Sequence, residues 1–194
     1  MDEHAIDLRS DTVSVPTGGM LRAMTGAEVG DDVYGEDPSV NRLQALVADL
    51  LGKEDALFVA SGTMGNLVCV KAQTRPGDEV IMDAGSHVYH YEGGGYAAVA
   101  GVSVRLLPGE RGILSPEQIA QAVRPHDPHI ARSRLVVVEN THNRGGGSVY
   151  PVETVEAIGR ICREHGLAVH MDGARLFNAC IVAGAEPADY ARHA

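Results

Sequence analysis

The topology of the chain is set by residues 135–172, which read LVVVENTHNRGGGSVYPVETVEAIGRICREHGLAVHMD. The continuous apolar run Leu135–Val138 is typical of a strand buried on both faces. A helix is predicted to begin at Pro151 and to end at Gly166, because apolar residues recur between them at helical spacing. A second apolar run, Leu167–Met171, follows at once. Strand, helix and strand in this order predict two parallel strands joined by a crossover helix.

The same alternation is found upstream of this segment. Further strands are predicted at Ala56–Ala60, Glu79–Met82 and Val102–Leu107, and helices from Asp37 to Gly52, from the Ser61–Asn66 loop through about Thr74, and from Ser115 to about Val123. The fold class is therefore α/β, a mostly parallel sheet with helices on both faces. Residues 1–36 are interpreted as an N-terminal arm with one short helix near Met20–Met24, and residues 37–194 as a large domain.

The composition excludes several classes of function. The 194 residues carry 16 Lys and Arg against 26 Asp and Glu, a net charge of −10 with no basic run, which argues against nucleic-acid binding. The acidic start Met1–His4 is unlike a secretory signal, and no apolar run is long enough to span a membrane. Cys69, Cys162 and Cys180 form no CxxC pair and fit reduced thiols. We expect a cytoplasmic protein that binds neither nucleic acid nor membranes.

Three polar groups follow predicted strands, and in an open parallel sheet ligands bind beyond the carboxyl ends of the strands. Ser61–Asn66 precedes a helix, so its free backbone N–H groups favour an anion; a tight turn with an N-cap is the alternative. Asp172 is interpreted as the counter-ion of a protonated heterocycle or, alternatively, as a helix N-cap. Arg175 either pairs with Asp172 or binds a second ligand oxygen. His87, close to the glycines 93–95, is suited to stacking on a flat ring.

Other chemistries are disfavoured by the sequence. The Ser61–Asn66 segment matches neither the dinucleotide nor the P-loop glycine pattern, and no Gly-x-Ser-x-Gly elbow indicates a hydrolase. Two histidine pairs are spaced three residues apart, but no third ligand accompanies either of them, so we expect no metal site. These pairs are His87 with His90, and the proline-flanked His126 with His129, which are by default solvated loop residues.

Five sequence blocks, taken together and in order, resemble those of one enzyme family over residues 6 to about 190. The chain is similar to L-threonine aldolases, which belong to the aromatic β-eliminating lyase group of fold-type-I enzymes dependent on pyridoxal 5'-phosphate (PLP). The fold implied is the transferase-like large domain of that group. The blocks are LRSDTV at 8–13, GDDVYGEDP at 30–38, SGTMGN at 61–66, ENTHN at 139–143 and HMDGAR at 170–175.

The resemblance implies a reaction and a role for several residues. PLP acts as an electron sink, and the implied reaction is the retro-aldol cleavage of L-threonine or L-allo-threonine to glycine and acetaldehyde. The implied roles are Gly62 and Thr63 at the PLP phosphate, His87 stacked on the pyridine ring, Asp172 at the ring nitrogen, Arg175 at the phenolic oxygen, Ser10 at the substrate carboxylate, Tyr34 near the site or a subunit boundary, and His129 near the substrate hydroxyl as a proton acceptor.

One feature of the family has no counterpart in this sequence. Such enzymes hold PLP on a lysine a short way beyond the DGAR block, whereas this chain ends at Ala194. Its two lysines fall at a helix stop (Lys53) and inside an apolar helix (Lys71). We therefore expect an N-terminal portion of the enzyme, without the C-terminal small domain, that is catalytically defective by itself.

Two alternatives stay open at this point. The first keeps PLP but changes the reaction to β-elimination or racemisation of another amino acid, because substrate contacts choose which bond PLP breaks. The second is a non-catalytic binding or assembly module, which the absent lysine motivates. The resemblance also implies a small amino acid substrate and a homo-oligomer, a dimer or tetramer, in which the N-terminal arm would reach a neighbouring subunit.

Overall fold

The computed structural model describes residues 6–194, and the acidic start Met1–His4 lies outside the described residues. Four strands form one sheet in the order β2-β1-β3-β4, and every neighbouring pair is parallel. The predicted parallel α/β architecture is confirmed. The strands are β1 (Glu79–Asp83), β2 (Ser103–Leu107), β3 (Ser133–Glu139) and β4 (Ala168–Asp172).

Helices precede, connect and follow these strands. In the described part of the chain, no helix is both long and apolar enough to cross a bilayer. The helices are α1 (Gly18–Thr25), α2 (Pro38–Leu51), α3 (Gly62–Gln73), α4 (His87–His90), α5 (Pro116–Ala122), α6 (Val152–Glu164), α7 (Leu176–Ala183) and α8 (Pro187–Ala191), with a 3₁₀ turn at Asp11–Val13 and a π-helical turn at Tyr96–Ala100.

Local capping chemistry explains the ends of several helices. The Asp37 carboxylate caps α2 by accepting hydrogen bonds from the N–H groups of Ser39 and Val40, and Gly52 ends that helix in the left-handed conformation at φ 62°. A reciprocal capping box between Ser115 and Gln118 opens α5, as predicted from the sequence.

The sheet has an apolar core on each face, because successive side chains of its strands point to opposite sides. Ile81 and Val136 face the larger core, which is built with α5, α6, α7 and α8. Val80 and Val137 face a smaller core together with Val70 of α3. Both faces are therefore covered by helices, which leaves the carboxyl ends of the strands open for a ligand.

Two predictions about the segment before β1 were wrong. Ala56–Ala60 forms no strand, and its Leu57 and Phe58 are 71% and 53% exposed. A buried strand needs a neighbour to pair with, and no strand of residues 6–194 runs beside this segment. The Ser61–Asn66 segment was predicted to be a loop, but Ser61 is the N-cap of α3 and residues 62–66 already form its first turn.

Candidate active site

The carboxyl edge of the sheet opens into a cavity of about 450 Å³. It brings together six residues from distant parts of the sequence that were predicted to form the site: Ser10, Gly62, Thr63, His87, Asp172 and Arg175. The same cavity is also lined by Asp11, Thr12, Asn66, Glu92, Glu139, Thr141, Asn143 and Ala174. The glycine–threonine turn and the acid at the end of β4 therefore share one cavity, as a single ligand would require.

The first turn of α3 presents an anion-binding surface to this cavity. Ser61 Oγ accepts the N–H of Met64 at 3.1 Å, whereas the N–H groups of Gly62 and Thr63 have no acceptor within the helix. A Cβ atom built on Gly62 would have no protein atom within 4 Å. Packing therefore does not require glycine at this position. The open space and the positive end of the helix dipole suit an oxyanion such as phosphate.

Asp172 ends β4, and its side chain is buried at the cavity wall. Its Oδ2 accepts a hydrogen bond from Asn66 Nδ2 at 3.0 Å, and its Oδ1 accepts one from Ala174 N at 3.1 Å. These two bonds use about half of the lone-pair directions of the carboxylate. The alternative of a helix N-cap is wrong, because α7 begins only at Leu176 with Arg175 as its N-cap residue. A buried acid in this setting is suited to a protonated ring nitrogen.

His87 is held at the cavity by two glutamates. Its backbone N–H donates to Glu139 Oε2 at 2.8 Å, and its Nδ1 lies 3.0 Å from Glu92 Oε1. A carboxylate can only accept, so Nδ1 carries the hydrogen, and in the neutral ring Nε2 is the atom able to accept a proton. The ring of Tyr91 lies 5.3 Å from the imidazole, centroid to centroid, at a tilt of 41°. The His87 ring is therefore fixed in orientation as one wall of the cavity.

Arg175 pairs with Asp11 rather than with Asp172, which was the partner considered from the sequence. Arg175 Nε lies 2.5 Å from Asp11 Oδ2, and Nη2 lies 2.8 Å from Oδ1. The hydrogen bond to Arg175 lowers the pKa of Asp11 below its usual value. This bidentate pair ties the 3₁₀ turn at Asp11–Val13 to the segment between β4 and α7. Because Ser10 precedes Asp11, the pair also places Ser10 at the cavity.

Several polar residues at the cavity were given no role by the sequence reasoning. Glu139 accepts backbone N–H groups from His87 and from Asn143, each at 2.8 Å, and so joins two walls of the cavity. Glu92 and Asn66 join the acid of β4 to His87. The sequence contains one signal that could have identified Glu92. This carboxylate lies next to the glycines 93–95, and a glycine-rich loop allows a ligand to approach closely.

Tyr34 and His129 do not line this cavity within one chain. Tyr34 lies in the N-terminal arm and is 79% exposed. His129 has a side chain that is 89% exposed, with Nδ1 at 3.0 Å from Asp127 Oδ1. Its loop precedes β3, so it lies at the amino edge of the parallel sheet, opposite the cavity. His129 is therefore a solvated loop residue, which was the default interpretation of the sequence. It does not lie beside the other site residues of the same chain.

Neither lysine of the chain lies at this cavity. Lys53 Nζ donates to the carbonyl oxygen of Ala194 at 2.5 Å and lines a separate, mostly apolar cavity between α2, α3 and α7. Lys71 is exposed in the last turn of α3. The described site therefore combines the start of α3, a buried carboxylate and an imidazole wall, and neither lysine of this chain lies beside them.

Comparisons with known proteins agree on one family. The family profile described as Beta-eliminating lyase matches residues 7–194. A low specificity L-threonine aldolase of Escherichia coli K12 is 44% identical over 182 residues, which cover 93% of this chain and 54% of that protein. Low-specificity L-threonine aldolase 1 of Arabidopsis thaliana is 45% identical over 186 residues, covering 93% of this chain and 51% of that protein.

A comparison of structures gives the same result. The threonine aldolase of Leishmania major superimposes with a TM-score of 0.76 at 31% identity, covering 89% of this chain and 50% of that chain. This chain thus spans about half the length of the relatives it matches. Threonine aldolases and β-eliminating lyases of this fold depend on pyridoxal phosphate. The match over nearly all of its residues shows that the chain belongs to the beta-eliminating lyase family.

Proposed function

We propose that this chain provides the coenzyme-holding half of a PLP-dependent aldehyde-lyase that cleaves L-threonine or L-allo-threonine to glycine and acetaldehyde. The observation that carries the proposal is the shared cavity of Gly62, Thr63 and Asp172. It pairs an anion-binding helix end with a buried acid, as a phosphorylated pyridine ring requires. The threonine aldolases among its relatives support the choice of reaction.

The residues of the cavity fit PLP in chemistry as well as in arrangement. The N–H groups at the start of α3 would bind the phosphate, and the open space above Gly62 leaves room for it. The Asp172 carboxylate would keep a proton on the ring nitrogen, while the His87 ring would lie along the face of the pyridine. When bound in this way, PLP supplies an electron sink for a carbanion at the α carbon of the amino acid.

The remaining site residues act on the substrate in this proposal. His87 Nε2, whose partner atom Nδ1 is held by Glu92, would accept the proton of the β-hydroxyl. Ser10 would bind the substrate carboxylate with its hydroxyl from the arm. Arg175 would bind the phenolic oxygen of PLP through Nη1, since its Nε and Nη2 donate to Asp11. Tyr34 and His129 keep a proposed role only at a boundary with another subunit, because one chain places both outside the cavity.

A homo-oligomer, a dimer or tetramer, is part of the proposal. Apolar side chains along the arm support it, since Val15, Val29 and Val33 are each more than 80% exposed. A second copy of the chain could cover this surface.

The three cysteines are free thiols, which supports a reducing compartment such as the cytoplasm.

The test compares this chain with a chimera in which the carboxyl half of a matched aldolase follows residue 194. We expect the chain alone to bind PLP without covalent attachment and without turnover, because neither of its lysines is near the cavity. We expect the chimera to release glycine and acetaldehyde from L-threonine and L-allo-threonine. Pyruvate from L-serine, or racemised alanine without glycine release, would identify the alternative PLP reactions. A folded chimera that binds no PLP would contradict the proposal.

A further inference from the structure

The side-chain amide of Asn66 lies between two carboxylates and a histidine. Its Nδ2 is 2.7 Å from Glu92 Oε1 and 3.0 Å from Asp172 Oδ2. Its Oδ1 is 2.8 Å from His170 Nε2. Asn66 is buried in the first turns of α3, and its three partners come from β4 and from the segment that follows α4. One side chain therefore joins three separate parts of the fold.

The chemistry of these partners fixes the direction of every hydrogen bond in the cluster. Two carboxylates can only accept, so they require the NH₂ end of the amide, and Oδ1 must face His170. Since Oδ1 can only accept, His170 carries its hydrogen on Nε2. Burial lowers the pKa of His170, and the nearby Asp172 carboxylate raises it by a smaller amount. The ring is thus neutral near pH 7 with Nε2 as its donor atom.

We propose that Asn66 is a positioning residue of the coenzyme site. Its amide holds Glu92 and Asp172 side by side, so that Asp172 is fixed under the ring nitrogen of PLP and Glu92 is fixed against Nδ1 of His87. This inference rests on the proposed function and adds to it a residue that would not itself touch the reacting atoms. His170 lies between the coenzyme cavity and the apolar cavity of about 560 Å³ behind β4, and its Nε2–H holds the Oδ1 end of the amide.

The same geometry explains why an amide is suited to this position. A carboxylate of the same shape would put a third negative group against Glu92 and Asp172, and the cluster would have to take up protons. An apolar side chain would leave two buried carboxylates and the His170 Nε2–H without this partner. Asn supplies two donors to the acids and one acceptor to the histidine in one planar group.

The test uses the 194-residue chain and its Asn66→Asp variant, with Asn178→Asp on the exposed side of α7 as the matched control. Nitrogen-15 NMR of the ligand-free proteins at pH 7 reports the protonation of His170 and His87. We expect the Nε2–H form of His170 in the wild-type chain and in the control. In Asn66→Asp we expect a doubly protonated His170 ring, because a carboxylate oxygen then faces Nε2.

A titration with PLP is the second measurement on the same three proteins. Loss of a charge-assisted hydrogen bond at Asp172 should weaken PLP binding by Asn66→Asp about 10- to 100-fold and leave the control unchanged. PLP binding by Asn66→Asp equal to wild type would overturn the inference, as would a wild-type His170 that carries its hydrogen on Nδ1. If Asn66→Asp does not fold, the wild-type NMR result decides the matter. If the wild-type chain binds no PLP, the proposed function fails, and the histidine signals still test the Asn66 cluster.

Discussion

Glu139 and Asp172 are register partners at the carboxyl ends of the adjacent parallel strands β3 and β4. A backbone hydrogen bond also joins the ends of the two strands, because the N–H of Asn140 donates to the carbonyl oxygen of Asp172 at 2.9 Å. Both carboxylates line the same cavity. Each carboxylate accepts two hydrogen bonds, one on each oxygen: Glu139 from the backbone N–H groups of His87 and Asn143, and Asp172 from Asn66 Nδ2 and Ala174 N. The sheet register thus places two buried acids side by side at one wall of the cavity.

Replacing Gly62 with alanine separates coenzyme binding from folding. No protein atom lies within 4 Å of the new methyl group, and alanine restricts the unfolded chain, so the free energy of unfolding should be unchanged or higher by about 0.4–1 kcal/mol. PLP binding should weaken about 10- to 100-fold, because the methyl group takes up room at the phosphate. Urea unfolding and PLP titration measure the two effects. Gly65→Ala in the same helix, where the methyl group would lie 3.6 Å from Val59, is the control: its effect on the unfolded chain is the same, and PLP binding should be unchanged.

Asp11→Asn should loosen the arm without unfolding the domain. The variant keeps the shape of the side chain and removes the charge that pairs with Arg175. A partly exposed pair of this kind is only modestly stabilising, so tryptic cleavage at Arg22 should accelerate roughly 1.4- to 5-fold. Asp7→Asn breaks a pair with Arg9 inside the arm and should leave the cleavage rate unchanged. Equal rates for Asp11→Asn and wild type would show that this pair does not hold the arm.

His170→Gln should reduce the sensitivity of the fold to mild acid. Burial lowers the pKa of His170 below the ordinary 6.5, so the unfolded chain takes up a proton first as the pH falls. The stability tied to the neutral ring is therefore complete above about pH 6.5 and decreases below it, by up to about 1.4 kcal/mol at pH 5.5. The variant keeps an N–H donor for Asn66 but has no titratable group.

Urea unfolding of both proteins at pH 7.5 and pH 5.5 measures this difference. We expect the wild-type chain to lose more stability than His170→Gln between the two values. His126→Gln in an exposed loop should behave as the wild-type chain does. An identical loss in wild type and His170→Gln would mean that His170 is already charged in the folded protein at pH 5.5.

Asp83 is predicted to stabilise the loops around the site through a buried network. Its carboxylate accepts the N–H groups of Gly85 at 2.7 Å and Gly109 at 2.8 Å, and it lies 3.1 Å from Nε2 of the buried His142. Burial alone would raise the pKa of Asp83, but these hydrogen bonds outweigh it and lower the pKa below the usual value. The stability contributed by Asp83 is therefore present above about pH 4 and is lost as the pH falls further.

Asp83→Ala should lower the free energy of unfolding at pH 7 by about 3–5 kcal/mol, because His142 and two backbone donors lose their partner. Thermal and urea unfolding both report this loss. Asp49→Ala on the exposed side of α2 should cost less than about 0.5 kcal/mol. A loss of similar size in the two variants would contradict the importance of the Asp83 network.

Sequence periodicity predicted the parts of this fold that local chemistry determines. The run Leu135–Val138 and the capped helix that begins at Pro38 carry their own signals, and the structure confirms both. Asp172 and Gly62 could be selected as site candidates because each lies at a strand end or helix start, where ligands bind in parallel sheets. Their presence in one cavity follows from the topology and not from either motif alone.

Features that depend on distant partners could not be predicted in the same way. The run Ala56–Ala60 has the composition of a strand, but a strand also needs a neighbour. The hydrogen bond from Asn66 to Asp172 joins residues 106 positions apart, and the Arg175–Asp11 pair joins residues 164 positions apart. Such contacts depend on how helices pack on the sheet, and a single sequence gives no direct signal for that packing.

The most direct test of the account is a crystal structure of the chain grown with PLP. The account predicts the phosphate on the N–H groups of Gly62 and Thr63, the pyridine nitrogen within hydrogen-bond distance of Asp172, and the His87 ring along the face of the coenzyme. PLP bound elsewhere, or bound in this cavity with its phosphate directed at Asp172, would contradict it.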